Sequence, residues 1–131
     1  MGTPASILIV DDYVDALEAW RLFLRAAGFE VRTAADGVTA LEEALANPPD
    51  LIVMDLELPR MSGLDVARAL RERDETRDIP LIVATGYSHA QVLAQSKDVG
   101  VDSVIVKPCD PDHLVSEITR LLESRRNGAS R

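Results

Sequence analysis

The sequence predicts an α/β protein of strictly alternating strands and helices built around a parallel sheet. Two observations carry that prediction. Four short apolar runs lack polar alternation, as strands covered on both faces do. The segments between the runs place their apolar residues at helical spacing instead. Right-handed crossovers then distribute helices over both faces of the sheet.

The first strand is Ile7-Leu8-Ile9-Val10. Tyr13, Leu17, Trp20 and Leu24 follow at helical spacing, and Gly28 supplies a C-terminal stop. Phe29-Glu30-Val31-Arg32-Thr33 alternates apolar with polar, so it reads as an edge strand. Val38, Leu41, Ala44 and Leu45 form the next helical stripe, which ends at Pro48-Pro49. Leu51-Ile52-Val53-Met54 is the third strand, and Leu64, Ala67 and Leu70 mark the helix after it. Gly63, at the entry to that helix, suits a tight turn.

Leu81-Ile82-Val83-Ala84 is the fourth strand. A weaker helix spans about residues 88–98 and ends near Gly100. Val104-Ile105-Val106 reads as a fifth strand, apolar throughout and buried on both faces. The last helix has the clearest signals. Asp110 is placed to cap it, Pro111 to open it, and Leu114, Ile118, Leu121 and Leu122 line one side. Residues 6–123 make one domain, and Ser124 to Arg131 read as a frayed polar tail.

Composition narrows the function. The chain has 131 residues, 47% of them hydrophobic, enough for one sizeable core. Its formal net charge of −8 repels nucleic-acid phosphates, and no helix carries a basic stripe, so direct nucleic-acid binding is not expected. Cys109 is the single cysteine, which rules out an internal disulfide. Met1 to Ser6 lacks a charged leader, and the first apolar run meets Asp11-Asp12 at once. No secretory signal or membrane span is legible, and the expected setting is cytoplasmic.

The ends of the strands carry the chemistry. The first strand delivers Asp11-Asp12, the third Asp55, the fourth Thr85-Gly86 and the fifth Lys107-Pro108. In open α/β sheets ligands bind at the carboxyl edge of the strands. A lone aspartate there would be a helix cap. Three carboxylates on one edge repel one another unless a cation intervenes. Lys107 leaves them in excess, so the set asks for a hard divalent cation such as Mg²⁺, which takes oxygen ligands, and then for an anionic substrate such as a phosphoryl group.

The order Asp11-Asp12, Asp55, Thr85, Lys107-Pro108 resembles the receiver domain of two-component response regulators. The stretch from Pro49 to Asp65, with Pro59, Met61 and Gly63 following Asp55, is especially similar to that family. The resemblance spans nearly the whole chain. It implies a flavodoxin-like doubly wound sheet of five parallel strands, order 2-1-3-4-5, with five helices. It implies that Asp55 is the phosphoacceptor for a sensor histidine kinase or a histidine phosphotransfer protein. Mg²⁺ would be held by Asp12, Asp55 and the backbone carbonyl of Glu57, with Asp11 acting through water. Thr85, Lys107 and the Gly86 amide would contact the phosphoryl group. The resemblance also implies a cis bond before Pro108. A downstream target protein would dock on the last two strand–helix units, and a homodimer is a further form such proteins take.

Several positions depart from the family. Val104 stands where an aromatic residue is usual, three residues before the lysine, and it cannot perform the ring movement that accompanies phosphorylation in the family. Tyr87 is a candidate to shield the phosphoryl group or substitute in part. Cys109 replaces a usual phenylalanine and reads as an apolar filler. Glu57 is either an influence on attacking water or an exposed glutamate. His89 and His113 read as surface helix histidines.

Three other functions fit the residues less well. A degenerate receiver acting as a phosphorylation-independent interaction module would lack one of the acids or the lysine. Asp55-Leu56-Glu57 faintly resembles the nucleophile motif of aspartate-dependent phosphatases, but those carry it after the first strand. A flavin domain needs a phosphate loop where Asp11-Asp12-Tyr13 stands. The chain reads as a stand-alone receiver or as a piece of a longer protein.

Overall fold

Successive side chains on a strand point to opposite faces, so a continuous apolar run must feed two cores. The computed structural model, which describes residues 3–86 and 90–126, shows this division. On β1 (Ser6–Val10), Ile7 and Ile9 join one buried cluster while Leu8 and Val10 join another. On β3 (Leu51–Met54), Leu51 and Val53 divide from Ile52 and Met54 in the same way. On β4 (Leu81–Thr85), Leu81 parts from Ile82 and Ala84. The absence of alternation in these runs therefore has the expected cause.

The first cluster is closed by Leu17 and Leu24 of α1 (Val14–Ala26) and by Leu114, Ile118 and Leu121 of α5 (Pro111–Arg126). The second is closed by Ala40 and Ala44 of α2 (Gly37–Ala46) and by Val66, Ala67 and Leu70 of α3 (Gly63–Arg71). Between β4 and β5 (Ser103–Val106) runs α4 (Ala90–Asp98). With β2 (Glu30–Ala34) at one edge, the strands lie all parallel in the order β2-β1-β3-β4-β5. This is the flavodoxin-like doubly wound arrangement that the resemblance implies.

Four details differ from the sequence reading. β5 is the second edge of the sheet, with only Ile105 buried and Val106 45% exposed, so its apolar run does not signify two covered faces. Tyr13 caps α1 and is 64% exposed rather than packed on the stripe. The buried stripe of α2 runs through Gly37, Ala40 and Ala44, with Val38, Leu41 and Leu45 only half-buried. Gly63 is not at a positive φ. A Cβ there would lie 2.4 Å from the Asp55 carbonyl oxygen, so close approach is what demands glycine. The stop at Gly28 is confirmed, with φ at 102°. Tyr87, His89 and the tail from residue 127 lie outside the described residues.

Candidate functional site

The register of the sheet builds the site. Val10 pairs with Met54, and Met54 with Val83. Asp11 and Asp55 therefore leave neighbouring strands side by side, and Thr85 stands one step further along β4. The backbone ties these ends together. Asp55 N–H donates to the Val10 carbonyl at 3.0 Å, and Asp11 N–H to the Ala34 carbonyl at 3.2 Å. Lys107 N–H donates to the Thr85 carbonyl at 2.8 Å, which fixes the tip of β5 to the tip of β4.

Asp11, Asp12 and Asp55 each bring a carboxylate oxygen to within 4.8 Å of the other two. Asp11 is buried, Asp55 half-buried and Asp12 exposed. The Lys107 ammonium donates to Asp11 Oδ2 and to Asp55 Oδ2, both at 3.0 Å. The remaining oxygens of these two acids are oriented as well. Asp11 Oδ1 accepts from the Tyr13 amide at 3.0 Å, and Asp55 Oδ1 from the Glu57 amide at 3.1 Å. At 4.8 Å, like charges repel by about 3 kcal/mol in an effective dielectric of ~20. One ammonium against three carboxylates leaves net negative charge in a partly desolvated cleft. Burial of Lys107 works against its charge, but the hydrogen bonds and charges of Asp11 and Asp55 outweigh it and hold its pKa above the ordinary lysine value.

The other predicted residues are placed as follows. Thr85 is fully buried and Gly86 exposed at the end of β4. A Cβ on Gly86 would meet nothing within 4 Å, so packing does not require glycine there. Glu57 is exposed in the loop after Asp55. The Lys107–Pro108 bond is cis. Cys109 is half-buried against the first core cluster, and burial pushes its thiol pKa up, as suits an apolar filler. His113 is exposed in the first turn of α5. Val104 is half-buried and lines a groove with Leu93, Ala94, Lys97 and Val101 between α4 and β5.

Sequence reasoning missed the residues that hold the loop beyond Asp55. Asp36 caps α2, accepting from the Thr39 amide at 2.7 Å, and also faces Arg60 Nη1 at 3.3 Å. Ser62 caps α3, accepting from the Asp65 amide at 3.2 Å. Both caps had a signal, an Asp or Ser directly before a helical stripe. The Arg60 contact had none.

Residues 7–119 match the family of response regulator receiver domains. The transcriptional regulatory protein PrrA of Mycobacterium tuberculosis is 38% identical over 98% of this chain and 54% of its own length. The chain thus spans about half the length of the first curated relatives it matches. The polar-differentiation response regulator DivK of Brucella anthropi is 33% identical over 91% of this chain and 97% of its own. Among solved structures, the receiver domain of sensor histidine kinase PA1611 from Pseudomonas aeruginosa superposes with a TM-score of 0.86 at 26% identity, covering 92% of this chain and 99% of that one. That structure has a magnesium ion coordinated in its active-site cleft.

Proposed function

The chain belongs to the receiver domains of two-component response regulators, and on that premise we propose that it accepts a phosphoryl group on Asp55 with Mg²⁺ bound beside it. One observation carries the reading: three carboxylates converge within 4.8 Å, with a lysine ammonium 3.0 Å from two of them. The donor set fits the ion, since every candidate ligand is a hard oxygen. Asp11, Asp12, Asp55 and the Glu57 carbonyl would hold it. When bound, Mg²⁺ neutralises charge on the phosphoryl oxygens and on the attacking carboxylate. The magnesium in the PA1611 receiver supports this choice of metal.

The protein's own groups do the rest. An Asp55 oxygen attacks phosphorus in line with the bond to the donor histidine. That phosphorus–nitrogen bond breaks as the acyl phosphate forms, and the imidazole leaves with its electron pair and takes a proton from solvent. The Glu57 amide holds the Asp55 carboxylate in place. Lys107 pairs with the transferred group, while Thr85 and the Gly86 amide donate to its remaining oxygens. The donor is a sensor histidine kinase or a histidine phosphotransfer protein. The phosphorylated form then favours one of two conformations and presents α4, β5 and α5 to a target protein. The groove at Val104 lies on that surface.

The test is incubation with acetyl phosphate and Mg²⁺, followed by intact mass. One phosphoryl group is expected on the wild type, and none on Asp55→Asn or in excess chelator. A wild type that takes up no phosphate would move the protein to the phosphorylation-independent module.

A further inference from the structure

The loop from Leu56 to Ser62 carries Glu57, and its shape is imposed by α2, an element that contributes nothing to the acidic cleft. Met61 N–H donates to the Pro59 carbonyl at 2.8 Å, closing a three-residue turn on Arg60, whose φ is 69°. A positive φ is unfavourable for a residue with a side chain and persists only where the surroundings enforce it. The surroundings are on α2. Gly37 N–H donates to the Pro59 carbonyl at 3.2 Å. A Cβ on Gly37 would lie 1.9 Å from the Met61 carbonyl oxygen and 2.7 Å from its carbon, so the loop backbone occupies the space a side chain would need. Asp36 adds the ion pair to Arg60 at 3.3 Å. Leu58 and Met61 pack onto the second core cluster, which includes Ala40 and Ala44 of α2. At the other end of the loop, Gly63 N–H donates to the Leu56 carbonyl at 2.9 Å.

We propose that Gly37, with Asp36 and Arg60, is a positioning device for the metal site: it seats the loop after Asp55 on α2 and so sets the Glu57 carbonyl in place for the cation. This rests on the reading of Asp55 and Glu57 as Mg²⁺ ligands. Groups that orient metal ligands from outside contribute strongly to affinity without touching the ion. The glycine allows the helix end and the loop to meet at backbone distance.

The experiment measures Mg²⁺ binding calorimetrically for the wild type, Gly37→Ala, Arg60→Ala and Leu24→Ala. The last empties core space on the opposite face of the sheet and serves as a control for general destabilisation. The Mg²⁺ dissociation constant is expected to rise about tenfold in Gly37→Ala and by about two- to threefold in Arg60→Ala, and to stay at the wild-type value in Leu24→Ala. Labelling by acetyl phosphate should show a matching rise in half-saturating Mg²⁺, with the rate at saturating Mg²⁺ within about twofold of wild type. If Gly37→Ala does not fold, exposed Arg60→Ala decides: an unchanged dissociation constant overturns the proposal. Equal weakening in Leu24→Ala also overturns it, because the effect would then follow stability alone. A wild type that binds no Mg²⁺ would instead overturn the underlying assignment of the cleft.

Discussion

The Lys107 ammonium lies 3.0 Å from the Asp55 carboxylate across 52 residues of chain. On the proposed function, that pairing would hold a cation ready for the phosphoryl group on Asp55. Lys107→Ala should therefore slow labelling by acetyl phosphate about 10²-fold, the scale of losing one charge-stabilising donor. Mg²⁺ binding should persist, since the oxygen ligands remain. Rates from intact mass over time, at saturating Mg²⁺, check this.

Acid stability should depend on Asp36. The Thr39 amide foremost holds its carboxyl below the ordinary value of 3.8; desolvation opposes it, and the Thr39 hydroxyl and Arg60 lower it further. A depressed folded-state pKa adds stability that is fully present above 3.8 and is lost as pH falls through the lower folded value. Asp36→Asn keeps a capping side chain but removes the titration. Its urea midpoint should fall less than that of the wild type between about pH 7 and pH 3.

Arg71 ties together the opposite edge of the sheet. Its guanidinium donates to the carbonyls of Gly100, Arg77 and Ile79 and pairs with Asp102 at 3.1 Å. The Asp102 side chain is only 7% exposed, so Arg71→Ala removes a guanidinium from beside a buried carboxylate and from three carbonyls at once. A loss of about 3 kcal/mol is expected by urea unfolding. Arg71→Lys should recover little of it, because one ammonium cannot serve four acceptors around a planar fork.

Ser96 presents the reverse case. Its hydroxyl is buried on α4 with no hydrogen-bond partner among the described residues. Ser96→Ala removes a desolvated polar group and should stabilise the fold by about 1 kcal/mol, read from the urea midpoint at constant slope.

Much of this was legible in the residues. Asp11, Asp12, Asp55 and Lys107 were found because each follows an apolar run, and a parallel sheet must bring such ends to one edge. The edge position of β5 was not legible from its own pattern. Val104-Ile105-Val106 is as apolar as a central strand, and only the strand order leaves one face thinly covered. The Arg60 turn and the Arg71 cluster left no trace because both depend on partners distant in sequence. An arginine that meets carbonyl groups from two loops looks like any surface arginine in one dimension. Gly37 was hidden for a different reason: its requirement comes from the Met61 backbone, not from its own φ.

One consequence concerns β4. Its first residue, Leu81, donates its amide to Asp102 at 2.8 Å, the carboxylate that Arg71 clamps, and its last residue is Thr85. The strand is tied at its foot and ends at the buried Thr85 at its head. Axial sliding of β4 would break the Leu81–Asp102 bond, so a displacement at Thr85 costs least as a swivel of its own side chain rather than as a piston stroke of the rod beneath it.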